Sequence, residues 1–207
     1  VIGRFISLEG GEGAGKSTQV RALAATLGER GIDVVITREP GGSAGAEAIR
    51  TLLMQGAVDR WSPRAEMLLF AAARADHVER TIRPALERGT WVICDRFIDS
   101  TRAYQGGASG LNDADIMAVH AIGTGGLLPD RTLVLEIPID EGRARAAGRD
   151  GAAADRFAAR GDEFHAAVAS AFRRFAVAEP SRFRLIDARG TADEVTGAVM
   201  HAVDDLL

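Results

Sequence analysis

The sequence predicts an α/β fold: a parallel sheet of about five strands covered by helices on both faces. Two observations predict it. Short apolar runs alternate with stretches of helical periodicity along the whole chain, as expected for strands buried on both sides by crossover helices. Between the first strand and the first helix lies Gly10-Gly11-Glu12-Gly13-Ala14-Gly15-Lys16-Ser17, which meets the P-loop pattern G-x-x-x-x-G-K-[ST] at every required position. The 207 residues, 46% of them hydrophobic, suit one domain with a full core.

Phe5–Leu8 reads as a short buried strand, and Lys16–Arg30 as a helix with Val20, Leu23, Ala24 and Leu27 at helical spacing. A strand at Val34–Thr37 follows, then helices over Gly45–Gln55 and Pro63–Arg88. Trp91–Cys94 is the third strand; helices at Asp99–Gln105 and Asp113–Gly123 lead to the fourth, Thr132–Leu135. A helix over Glu141–Ala147 precedes Gly148-Arg149-Asp150-Gly151-Ala152-Ala153-Ala154, whose small residues suit a mobile loop, and a lid is expected near 148–160. The chain closes with a helix over Asp162–Ala178, a strand at Arg184–Ile186 and a helix over Ala192–Leu207. That last helix carries Val195, Val199, Val203 and Leu206 on one stripe, expected to pack on the sheet.

The P-loop carries the first chemistry. Its glycines let successive backbone N–H groups turn in around a phosphate, and the helix behind presents the positive end of its dipole. Gly10 to Thr18 are therefore expected to cradle the phosphates of ATP. Lys16 is expected to reach the β- and γ-phosphates, and Ser17 to hold Mg²⁺. The third strand ends in Asp95-Arg96. An acidic residue at a strand's carboxyl end beside a P-loop is a second expected contact for Mg²⁺, in the crevice where open α/β sheets bind ligands. Arg96 brings a fork of donors suited to a phosphate. Taken alone, Asp95-Arg96 would pass for a surface ion pair.

Bulk properties narrow the partners. A net charge of −4 offers no general attraction for nucleic acid or an anionic membrane. No apolar run approaches a membrane span, and no signal peptide is read ahead of the first strand. Cys94 is the only cysteine, so no internal disulfide forms, which fits a reducing cytoplasm.

Segments in order along the chain resemble thymidylate kinases. Phe5 to Thr18 resembles that family's opening strand and P-loop, and Thr37-Arg38-Glu39-Pro40-Gly41-Gly42 its second signature. Leu69-Phe70-Ala71-Ala72-Ala73-Arg74 and the run from Cys94 to Gly106 follow in family order, and Asp155-Arg156-Phe157 with Phe164-His165 resembles its lid and the helix after it. The resemblance implies the P-loop NTPase fold and transfer of phosphate from ATP to dTMP, giving dTDP, with Mg²⁺ and in a homodimer. It implies that Phe70 stacks on thymine and Arg74 donates to a base carbonyl; four positions apart on a helix, the two share a face. Thr101 and Gln105 would line base and sugar, Tyr104 would crowd the sugar 2′ position, and Glu12 would approach the sugar. Arg38 and Arg96 would clamp the dTMP phosphate.

The x positions of the P-loop are Gly11, Glu12, Gly13 and Ala14, so the arginine that some family members carry there is absent. The lid is then expected to supply it, with Arg149 the best match and Arg156 and Arg160 the other candidates. Ala158, Ala167 and Ala169 depart from the pattern of many relatives. Another P-loop monophosphate or deoxynucleoside kinase is the alternative. A GTP-dependent switch would need an Asn-Lys-x-Asp motif, which the chain lacks.

Overall fold

The computed structural model describes residues 3–150 and 156–207, with side chains described outside 146–155. Five strands, β1 (Phe5–Gly10), β2 (Val34–Arg38), β3 (Trp91–Asp95), β4 (Arg131–Glu136) and β5 (Phe183–Asp187), form one sheet in the order β2-β3-β1-β4-β5. Every pairing is parallel. The central strands β1, β3 and β4 are buried almost throughout, whereas the edge strands β2 and β5 alternate with exposed positions. This is the distribution expected when helices cover both faces of a sheet.

The helices are α1 (Lys16–Glu29), α2 (Ala44–Met54), α3 (Pro63–His77), α4 (Arg83–Glu87), α5 (Ile98–Thr101), α6 (Asp113–Thr124), α7 (Ile139–Asp150), α8 (Asp162–Ala178) and α9 (Ala192–His201). On one face, Leu23 and Leu27 of α1 and Val195 and Val199 of α9 pack on Ile6, Leu8 and Ile93. On the other, Met67, Val78, Ile82 and Ile116 pack on Phe5, Val92 and Cys94. Val203 joins the α9 stripe as expected, and Leu206 packs at its edge.

Four expected helices differ in detail. Pro63–Arg88 is helical without a break as far as Glu87, but a π-helical turn, Val78–Ile82, lies between α3 and α4. Pro84 at the start of α4 lacks an N–H and crowds the carbonyl four residues back, which a wider turn accommodates. The helix expected over Asp99–Gln105 is α5 continued by a π-helical segment, Arg102–Ala108. Gly107 there lies so close to α8 that a Cβ would meet that of Ala171 at 2.5 Å. α9 stops at His201, short of Leu207. Asp204 and Asp205 would burden a helix C-terminus with negative charge, and Asp205 instead pairs with Arg131 at 2.6 Å. α7 reaches Asp150, so residues 148–150 of the expected loop are helical; residues 151–155 lie outside those described.

A buried charge network fixes the sheet's far side to the segment after β3. Asp99, fully buried, accepts from both terminal nitrogens of Arg182 (2.5 and 3.0 Å), from Arg102 Nη1 (3.0 Å) and from Thr132 Oγ1 (3.0 Å). Burial opposes the charge, but Arg182 and Arg102 more than offset it and hold the Asp99 carboxyl below its ordinary range. The network ties α5 to β4 and to the residue preceding β5.

Candidate active site

The register of the central strands assembles the site. β1 and β3 pair so that Leu8 lies beside Asp95, which brings the P-loop and the end of β3 together. Gly10, Gly13 and Gly15 all hold positive φ, the left-handed region that glycine enters without cost. At Gly13 the need is absolute: a Cβ there would overlap the backbone carbonyl of Gly142 in α7. Ser43, Ser62, Asn112 and Thr191 cap α2, α3, α6 and α9 with their side chains. α1 starts at Gly15 with no side-chain cap and no acidic residue in its first turn. With no side chain capping it, the start of α1 can turn backbone N–H groups toward an anion.

Lys16 folds back over the loop, donating from Nζ to the carbonyls of Gly10 (3.2 Å) and Gly11 (2.7 Å). Ser17 Oγ donates to Asp95 Oδ2 at 2.7 Å. A hydroxyl and a carboxylate brought to one point are hard oxygen donors of the kind Mg²⁺ takes, and Mg²⁺ needs few protein ligands because it keeps water. Arg96 is the one non-glycine residue with positive φ (73°) among those described. Such a residue costs roughly 1–3 kcal/mol and persists only where its surroundings over-determine it. Here its N–H donates to Leu8 O (3.0 Å), its Nη1 donates to Ser100 Oγ (3.0 Å), and its guanidinium lies over the Tyr104 ring.

A cavity of about 140 Å³ opens beside this corner, lined by Glu12, Phe70, Arg74, Arg96, Thr101, Tyr104 and Gln105. Seven of the residues expected to bind substrate thus share one wall. Arg38 is not brought there: its side chain is 57% exposed and pairs with Glu47 at 3.3 Å. Arg50 lines the cavity instead, an arginine the motifs did not single out. Phe70 sits 5.8 Å from Phe157, and Tyr104 packs edge-on against Phe164 and Phe157. Arg74 is buried, donating from Nε to Glu39 (2.8 Å) and from Nη2 to Thr101 Oγ1 (2.8 Å).

Sequence reasoning missed five acidic or imidazole groups here. Glu66 is buried at 1% exposure and takes Gln105 (2.7 Å), Arg156 (2.9 Å) and Arg160 (3.1 Å). Its place on α3, four residues before Phe70 and eight before Arg74, was the available signal. Of the lid arginines, Arg156 and Arg160 are therefore drawn onto α3, while the Arg149 side chain lies outside the described residues. Glu39 and His77 back Arg74 from behind. His165 also lines the cavity, and its Nε2 is buried without a hydrogen-bond partner among the described residues. Glu9, the last position before the glycine run, accepts from Phe97 N (2.8 Å) and Ser100 Oγ (2.6 Å). Full burial pushes its carboxyl up to about 7, although Arg96 pulls the other way.

Comparison with known proteins agrees with this geometry. The family model described as thymidylate kinase matches residues 8–199. The chain belongs to the thymidylate kinase family. It is 62% identical over 205 residues to the thymidylate kinase of Rhizorhabdus wittichii, covering 99% of each chain. It is 53% identical to that of Caulobacter vibrioides, over 97% of this chain and 96% of the relative. The solved thymidylate kinase of Ehrlichia chaffeensis superposes with a TM-score of 0.81 at 31% identity, over 98% of this chain and 100% of that one. The enzyme's P-loop NTPase fold and its reaction, phosphorylation of dTMP by ATP on the way to dTTP, follow from this membership.

Glu9 gives the fold a pH signature. Its folded pKa is raised, so the folded enzyme binds more protons than the unfolded chain between about 4.5 and about 7. In that window the Glu9 contribution to stability falls as pH rises. Glu9→Gln is expected to remove this contribution, on the order of 3 kcal/mol across the window. Urea denaturation of both proteins at a series of pH values checks it; parallel curves would refute it.

Proposed function

We propose that the enzyme carries out its transfer in the cytoplasm, as a homodimer, with Mg²⁺, at the corner between the P-loop and the cavity. The observation that carries the reading is the Ser17–Asp95 contact at 2.7 Å, directly beside a cavity lined by Phe70, Arg74 and Arg96. ATP phosphates belong over the P-loop from Gly10 to Thr18, held by the uncapped start of α1 and by Lys16. Ser17 and Asp95 would hold Mg²⁺, which when bound supplies charge neutralisation on the phosphates. dTMP belongs in the cavity with its base toward Phe70, Arg74, Thr101 and Gln105, its sugar between Tyr104 and Glu12, and its phosphate toward Arg96, with Arg50 nearby. Positioning and charge stabilisation then account for most of the rate. The single cysteine, buried, supports the reducing compartment.

A lid over residues 148–160 is part of the same proposal, with Arg149 as its working cation. What supports Arg149 is that Arg156 and Arg160 are both engaged by Glu66. An arginine brought to a transferring phosphoryl group contributes ~10³–10⁵ in rate in related enzymes. For the dimer, Leu68 on α3 and Ile122 on α6 are 53% and 87% exposed on adjacent helices, which suits an apolar seam between copies.

Coupled ADP-release assays against dTMP, dUMP, dCMP, dGMP and AMP test the site. dTMP is expected to lead, and Lys16→Ala and Asp95→Asn to abolish transfer while circular dichroism stays native. Near-normal kcat in either folded variant would refute the assignment. Arg149→Ala is expected to lower kcat and kcat/KM together, the mark of a contact made only in the transition state. A change confined to the dTMP KM would move the role elsewhere. Light scattering on Ile122→Glu is expected to show monomer where the parent shows dimer; an unchanged dimer would displace the seam.

A further inference from the structure

His77 closes α3, three residues after Arg74, and is fully buried. Its Nε2 lies 2.6 Å from Thr37 Oγ1 and its Nδ1 lies 3.2 Å from Glu39 Oε1. Glu39 Oε2 accepts from Arg74 Nε at 2.8 Å, and Arg74 Nη2 donates to Thr101 Oγ1 at 2.8 Å. The result is a chain Thr37–His77–Glu39–Arg74–Thr101 running from the end of β2 to the cavity wall. All five of its residues are buried. Gly42 closes over the ring so tightly that a Cβ there would overlap both His77 Nε2 and Thr37 Oγ1.

The chemistry of the chain sets its direction. The carboxylate of Glu39, paired with Arg74, accepts hydrogen bonds. The nitrogen that faces it, Nδ1, must therefore carry hydrogen, and in the neutral ring Nε2 accepts from the Thr37 hydroxyl. Each oxygen of Glu39 then has one donor. The His77 bond to Oε1 fixes the rotation of the Glu39 carboxylate. It thereby fixes the line along which Oε2 meets Arg74 Nε, with Nη2 on Thr101.

We propose that His77 is a positioning residue for the base pocket. By holding Glu39 Oε1 it fixes the carboxylate that meets Arg74 Nε, and so sets Arg74 with Nη2 on Thr101 and with Nη1, which bonds none of the described residues, available to a base carbonyl. The proposal rests on the reading that this cavity receives the base of the nucleoside monophosphate. No contact with substrate is assigned to His77 itself.

Two substitutions separate positioning from mere packing. The amide nitrogen of His77→Asn falls where Nδ1 does and can still donate to Glu39; that of His77→Gln falls where Nε2 does and cannot. His77→Gln is expected to raise the dTMP KM and to shrink the dTMP/dCMP ratio of kcat/KM by tenfold or more, with the ATP KM unchanged. His77→Asn is expected to restore most of that ratio. A packing role would lower stability in both variants alike and leave the ratio in place, and that result would overturn the proposal. Nitrogen-detected NMR on the unsubstituted enzyme is expected to show hydrogen on Nδ1 of His77, and a ring carrying its hydrogen on Nε2 alone would also overturn it. Arg74→Ala serves as the control for the underlying reading. If it leaves the dTMP/dCMP ratio intact, the base-pocket assignment fails. The His77–Glu39 link is then judged by the tautomer and by whether His77→Gln shifts the Arg74 Nε resonance; an unmoved resonance refutes the link.

Discussion

Leu8 lies beside Asp95 because β1 and β3 pair in parallel at the centre of the sheet, and the active corner depends on that register. The strand carrying the P-loop and the strand ending in the acidic residue must finish at the same level for Ser17 to reach Asp95. The same register lets the Arg96 N–H donate to Leu8 O, which holds Arg96 in its left-handed turn and directs its guanidinium to the cavity. A slip of one residue would turn every side chain of β3 to the opposite face. It would separate the P-loop from the cavity beside Asp95. The buried apolar faces of both strands oppose such a slip.

Charge inside the fold is arranged around this corner. Asp99 anchors the segment following Arg96 to β4 and to Arg182, Glu39 anchors Arg74, and Glu66 anchors Gln105 with two arginines of the region after 155. Each carboxylate is removed from water, which is costly unless its partners are well placed. Together they hold Arg74 and Gln105 on the cavity wall.

Much of this was legible in the sequence. The five strands and their order along the chain followed from alternating apolar runs, and the P-loop and Asp95-Arg96 from motif and position. Phe70 and Arg74 were found through the spacing of a family signature, and the structure places both on the cavity. The acidic groups were harder to see. Glu9 reads as an ordinary residue before a glycine run, because its partners, Phe97 and Ser100, lie about 90 residues away and only the sheet unites them. Arg38 looked equivalent to Arg96 in sequence, yet Glu47 on the neighbouring helix draws it outward. The π-helical turns were hidden as well, since they depend on tertiary packing and on a proline whose effect in sequence is merely to interrupt.

The meeting of Gly13 with Gly142 limits how the chain around α7 can vary. A Cβ on Gly13 overlaps the Gly142 backbone, and a Cβ on Gly142 comes within 2.5 Å of the Glu12 carbonyl. The seam between the P-loop and the root of α7 is therefore backbone against backbone, with no side chain available to absorb an error. Neither position can accept a larger residue while the other stays put, so repairing one by changing the other is closed as an evolutionary route. Variation in length and composition is then free only beyond the first turn of α7. A segment transplanted here from another kinase would have to be joined downstream of Gly142 to leave the P-loop undisturbed.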